Sequence, residues 1–215
     1  MKKYWTTILL AVVAVLFTVA VKIIDVAPVG PEGSMVGFAS INSAIFGAVG
    51  SNLAWDKITN IVMLAVFACG VVFAVMGLCQ WIKRKKILKV DWQILMLGVI
   101  YILLGLLYVL FEKVAINYRP IIVDGELAAS FPSSHMMMVA TVGVTVMLTL
   151  PQYIKNKAWQ VALQILLAVA VVVMVTGRLL SGMHWATDIM AGLLYSATLV
   201  SLYINLCKIK RRKNE

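Results

Sequence analysis

The chain has 215 residues, 62% of them hydrophobic and only 13% charged, with a mean hydropathy of +0.97. A soluble domain carries roughly 45–50% apolar and about 25% charged residues, so a soluble globular fold and a disordered chain are both excluded. The formal charge of +10 points to nucleic acid only if its placement allows it.

Six apolar stretches follow one another: about Trp5–Val21, Ile58–Ile82, Trp92–Phe111, His135–Leu150, Trp159–Gly177 and Trp185–Cys207. Each approaches the roughly 20 residues that carry a helix across ~30 Å of hydrocarbon. Trp5, Trp81, Trp92, Trp159 and Trp185 lie near their ends, where amphipathic rings favour the interface. The first stretch follows Lys2 and Lys3 and reads as a retained anchor, because no small-x-small cleavage site follows it. In the Lys22–Lys57 linker, Met35, Phe38, Ile41, Ile45, Phe46 and Val49 have the spacing of a short amphipathic helix. It is expected to start at Ser34, with Ser34 or Gly33 near its cap, and to rest on the outer interface.

Orientation follows from charge. With the N-terminus inside, Lys2, Lys3, Lys83, Arg84, Lys85, Lys86, Lys89, Lys155, Lys157, Lys208, Lys210, Arg211, Arg212 and Lys213 all face the cytoplasm, against Asp91 and Glu215. The outer segments keep Lys22, Lys57, Lys113, Arg119 and Arg178 against seven acidic residues. Six spans with both termini cytoplasmic satisfy the positive-inside rule at every loop, and the charge becomes a topology signal. Nucleic acid drops out as a partner. The expected fold is an all-α integral membrane protein, residues 1–215 forming one membrane-embedded domain. Cys69, Cys79 and Cys207 fall within spans, so neither a disulfide nor a metal-ligand spacing is expected.

The outer ends of spans three to six gather polar residues that are costly at membrane depth. They are Lys113 and Arg119-Pro120, then Pro132-Ser133-Ser134-His135, then Gly177-Arg178 with His184 and Asp188. Both histidines of the chain are among them. His184 and Asp188 stand i and i+4, so on a helix the carboxylate can accept one imidazole N–H and leave the other nitrogen free to attack. Ser133, Ser134 and His135 open span four, where unpaired backbone N–H groups cradle anions. Arg119 and Arg178 can grip phosphate oxygens in pairs. Two histidines, two arginines and one carboxylate make a phosphoryl-transfer site that needs no metal or cofactor.

These residues resemble the motifs of the type 2 phosphatidic acid phosphatase superfamily, membrane lipid phosphate phosphatases related in site geometry to vanadium haloperoxidases. The family's K-x6-R-P, P-S-G-H and S-R-x5-H-x3-D become Lys113 to Arg119-Pro120, Pro132-Ser133-Ser134-His135 and Gly177-Arg178…His184…Asp188. The resemblance implies that His184 takes the phosphoryl group, Asp188 orients it and His135 protonates the leaving oxygen. Arg119, Arg178, Ser133 and Ser134 would hold the phosphoryl oxygens. Three departures stand out. Lys113 comes one residue late with Glu112 in its place, Ser134 replaces a glycine, and Gly177 replaces a serine. The implied substrate is a lipid phosphate or pyrophosphate at the outer face of a bacterial plasma membrane, undecaprenyl pyrophosphate first and phosphatidylglycerophosphate or phosphatidic acid second. A catalytically silent headgroup-binding scaffold and, more weakly, a transporter stand as alternatives. Oligomeric state is left open.

Overall fold

A computed structural model describes residues 4–213, with side chains described through Ile209. Lys2, Lys3 and Glu215, and the side chains of Lys210–Lys213, lie outside the described residues. The chain forms helices α1 (Trp5–Ile23), α2 (Ala39–Val49), α3 (Ala54–Arg84), α4 (Trp92–Lys113), α5 (Ser134–Thr149), α6 (Lys157–Leu180) and α7 (Ala186–Lys213). All but α2 are long and apolar enough to cross a bilayer, in agreement with the six expected spans. Their large apolar side chains, such as Ile61, Leu64, Ile102, Leu106 and Leu166, point outward, as lipid-facing surfaces require.

The helices surround α5, which packs against α3, α4, α6 and α7, while α1 packs on α7. Central position explains its composition. Thr141, Thr145 and Thr149 recur every four residues and are fully buried, each hydroxyl donating to the carbonyl one turn back. Small and hydroxylated residues let helices approach closely where lipid supplies no hydrophobic drive, and interhelical hydrogen bonds add only about 0.6 kcal/mol each. Such bonds recur here as Thr149–Tyr203 (2.6 Å), Thr18–Tyr195 (2.9 Å) and Thr7–Ser201 (2.7 Å).

Two boundaries differ from expectation. The short helix starts at Ala39, not Ser34, and its N-cap is Phe38 in a left-handed conformation (φ 50°, ψ 42°). Asp25 accounts for the shift. Its carbonyl accepts the Ala39 N–H (2.8 Å) and its carboxylate accepts the Ser40 N–H (2.8 Å), satisfying two donors of the first turn of a helix that begins at Ala39. Val36 instead pairs with Ala27 in a short bridge. The helix docks by its Asn42, which donates to Thr187 Oγ1 (2.9 Å), and by Phe46, whose ring centroid lies 5.6 Å from that of Trp185. The second difference is α3, which begins at Ala54, one turn earlier than the apolar run. That extra turn carries Trp55 and Asp56 out of the presumed linker and onto the bundle.

Candidate active site

Between α4 and α5 the chain folds back on itself as a ribbon. Val123 and Glu126 pair across Asp124-Gly125, and Tyr118 pairs with Ala129. Both central residues have positive φ (55° and 77°), the conformation for which Asp-Gly is favoured in two-residue hairpins. The ribbon is anchored to the start of α7 by Trp185 Nε1–H, which donates to the Tyr118 carbonyl (2.7 Å). It thereby delivers Asn117, Arg119 and the Ser130 carbonyl to one place.

His184 sits in the turn before α7, not on the helix itself, and this alters the expected pairing. Its Nδ1 lies 2.9 Å from the Ser130 carbonyl but 3.8 Å from Asp188 Oδ2. A carbonyl can only accept, so Nδ1 carries the proton and Nε2 keeps its lone pair. The tautomer is thus held by a backbone oxygen, and the Asp188 carboxyl group stands behind it. Asp188 is fully buried, accepting from the Trp185 N–H (3.0 Å) and from Asn117 Nδ2 (3.3 Å). Asn117 in turn accepts the Gly37 N–H (3.2 Å), linking the first long loop to the site.

Four buried nitrogens here lack a protein partner: His184 Nε2, Arg119 Nε, and Nε and one terminal nitrogen of Arg178. The three arginine nitrogens are donors, expensive to leave unpaired when buried, so their cluster beside the His184 Nε2 lone pair is a site prepared for an anion. Burial, with the positive charges of Arg178 and Arg119, drives the His184 imidazole well below the ordinary histidine range and keeps it neutral. A small cleft beside them is lined by Glu112, Arg119, Ser134, Met137 and His184 among others.

Arg178 occupies the last turn of α6 and is fully buried, which rules out a snorkelling role. Its remaining terminal nitrogen donates to Asp56 Oδ1 (2.5 Å) and Thr59 Oγ1 (3.2 Å) on α3. The closeness of α3 also explains Gly177. A Cβ there would lie 2.5 Å from Thr59 Cγ2 and 3.3 Å from the Trp55 ring, so the serine of the related motif does not fit.

The other expected residues divide. Ser133 is buried, its Oγ capping α5 by accepting the Met136 N–H (3.4 Å) and its own N–H donating to the Asp188 carbonyl (3.0 Å). Ser134 reaches the cleft. His135 lies in the first turn of α5 with Nε2 2.7 Å from Asn60 Oδ1. Arg119, Ser134 and His184 line the cleft while Ser133, His135 and Arg178 stand behind its wall; Lys113 ends α4 exposed and outside the lining, whereas Glu112 is part of it. Sequence reading missed Asp56, Thr59, Asn60, Asn117 and the Ser130 carbonyl. Asp56 and Asn60, a polar i, i+4 pair at the head of an apolar run, were a usable signal; a backbone carbonyl gives none.

The family model described as the PAP2 superfamily matches residues 94–212. No curated protein matches the chain. The crystal structure of a transmembrane PAP2-type phosphatidylglycerolphosphate phosphatase from Bacillus subtilis superimposes with a TM-score of 0.64, covering 96% of this chain and 97% of that one at 17% identity.

Proposed function

This chain belongs to the PAP2 superfamily, and from that premise we propose that it hydrolyses a lipid phosphate or pyrophosphate through a phosphohistidine at His184. The observation that carries the proposal is the His184 ring: Nδ1–H held by Ser130, Nε2 buried and unpartnered beside two arginines with unpaired nitrogens. A site that merely bound a headgroup would need no imidazole in that tautomer.

In the first step the Nε2 lone pair attacks phosphorus while the bond to the leaving oxygen breaks. Arg119 and Arg178 neutralise the charge that spreads over the equatorial oxygens, and His135 gives the leaving oxygen a proton. In the second step water attacks the phosphohistidine, His135 takes its proton, and the P–N bond breaks to release phosphate. Electrostatic stabilisation is supplied by the guanidinium groups, so no metal is required. Asp188 and Asn117 hold the loop that presents His184.

A lipid substrate is supported by an apolar groove among α3, α4 and α5, lined by Phe67, Val71, Tyr101, Leu104, Met138 and Val142. Leu104 lies one turn from Tyr108 of the cleft, and Met138 is next to its Met137, so a tail in the groove brings its phosphate toward the cleft that Arg119 and His184 line. The uneven distribution of lysine and arginine supports a cleft that faces outward from a plasma membrane, and such a facing favours undecaprenyl pyrophosphate, a carrier released on that side. Likeness to the Bacillus subtilis enzyme favours phosphatidylglycerophosphate as the second reading.

The test is phosphate release by detergent-purified protein with EDTA present, on undecaprenyl pyrophosphate, phosphatidylglycerophosphate and phosphatidic acid. Turnover by wild type and none by His184→Ala or His135→Ala is expected, and the preferred lipid orders the two readings. Silence on all three lipids from folded protein overturns the phosphatase in favour of a headgroup-binding scaffold.

A further inference from the structure

The first two turns of α3 contribute two polar residues, Asp56 and Asn60, that belong to none of the motifs above. Asp56 and Asn60 stand i and i+4, and Asn60 Nδ2 donates to Asp56 Oδ2 (3.1 Å). Asp56 Oδ1 accepts from Arg178 (2.5 Å), and Asn60 Oδ1 lies 2.7 Å from His135 Nε2. A continuous polar chain thus runs from the buried arginine to the second histidine, entirely through α3.

Chemistry fixes the direction of each link. A carboxylate paired with arginine only accepts, so Asn60 must turn its NH₂ toward Asp56 and its carbonyl toward His135. That carbonyl cannot donate. His135 Nε2 therefore carries a proton, the opposite tautomer to His184, whose proton is on Nδ1. We infer that Asn60 is a positioning residue that holds His135 as the Nε2–H tautomer, and that Asp56 orients Asn60 while clamping Arg178.

The consequence for the reaction, which rests on the phosphatase reading above, is that His135 exchanges protons at Nδ1. As imidazolium it gives the Nδ1 proton to the leaving oxygen and becomes the neutral Nε2–H form. It then takes a proton from the attacking water back onto Nδ1, while the Asn60 carbonyl keeps accepting from Nε2–H and stabilises the cation that forms. Histidine partners of this kind work by setting tautomer and ring orientation.

Because the chain has only two histidines, the inference can be read directly. ¹⁵N-histidine NMR of the detergent-solubilised protein should show two neutral rings in opposite tautomers, assigned by loss of one signal in His135→Gln and of the other in His184→Gln. Asn60→Ala should change the His135 ring alone, abolishing its hydrogen-bonded Nε2–H signal. In the phosphate-release assay the same variant should lower kcat roughly 10- to 100-fold with KM nearly unchanged, and Asn60→Asp, which restores an acceptor, should recover part of the loss. If Asn60→Ala does not fold, Asn60→Asp takes its place in the spectrum, where the Nε2–H must persist. A wild-type His135 ring protonated at Nδ1, or one unmoved by Asn60→Ala, overturns the inference whatever the enzyme turns over. Turnover missing in wild type with the tautomers as described refutes the phosphatase reading and leaves the positioning of His135 standing.

Discussion

The imidazole of His184 is buried among guanidinium groups, and that placement sets its charge before any substrate arrives. Burial comes first, and Arg178 and Arg119 add to it, so the ring resists protonation well below its ordinary value of about 6.5. In kcat/KM against pH, the limb that reports protonation of the nucleophile is therefore expected below pH 6.5; a limb at or above that value would contradict this account. The same burial has a linked effect on stability. The folded-state value lies below the unfolded one, so the unfolded chain takes up the extra proton first, and stability falls progressively as pH drops from about 6.5 toward the folded value. Unfolding midpoints between pH 8 and 5 should drop less steeply in His184→Gln than in wild type. Residue placement also separates two basic candidates. Arg178 is sequestered with unpaired donors, whereas Lys113 is exposed at the end of α4. Lys113→Ala should cost less than about threefold in kcat/KM, while Arg178→Ala should cost at least about 100-fold, the scale of losing one transition-state donor.

Among the elements, the crossing of α3 and α6 decides how closely the site can be built. Gly177 lets the last turn of α6 lie against Trp55 and Thr59, and Thr59 is held in place by hydrogen bonds to the Trp55 and Asp56 carbonyls (2.9 and 3.0 Å). Restoring the related serine should therefore harm this protein. Gly177→Ser is expected to cost about 1–3 kcal/mol, the range for inserting an atom into a packed contact. Thr59→Ser removes the opposing methyl, keeps the hydroxyl that accepts from Arg178, and should rescue the double variant. Thermal unfolding of the two single variants and the double variant measures the coupling, and strict additivity would refute the steric explanation. The α4–α5 ribbon is a second local device. Its Asp-Gly turn is a local signal that the sequence reading passed over, and its role is not local, because nothing nearby in the chain says that Trp185 will grip Tyr118 67 residues away.

On the scale of the whole molecule, the site gathers at one end of the bundle, and the described lysines and arginines at the loops of the other end, Lys83 to Lys89 and Lys155 to Lys157, greatly outnumber the acids there. That asymmetry predicts which end faces outward. In a variant lacking Cys69, Cys79 and Cys207, a cysteine introduced by Lys22→Cys should react with a membrane-impermeant thiol reagent on intact cells. One introduced by Lys86→Cys should react only after lysis, and the reverse pattern would place the cleft in the cytoplasm.

Six spans, their order, and the gathering of His135, Arg178, His184 and Asp188 near one end were determined by the sequence alone. Bilayer thickness imposes a length on every span, and charged or titratable groups are too costly at membrane depth to occur by accident. Tertiary structure alone decided which atoms those residues meet. The proton on His184 is set by a backbone carbonyl 54 positions away, the proton on His135 by an asparagine 75 positions away, and the arginine clamp by an aspartate 122 positions away. Hydrogen bonds act over about 3 Å and only along fitting directions. Spacing along the chain carries that information within one helix, where i and i+4 share a face, and loses it as soon as the partner stands on another.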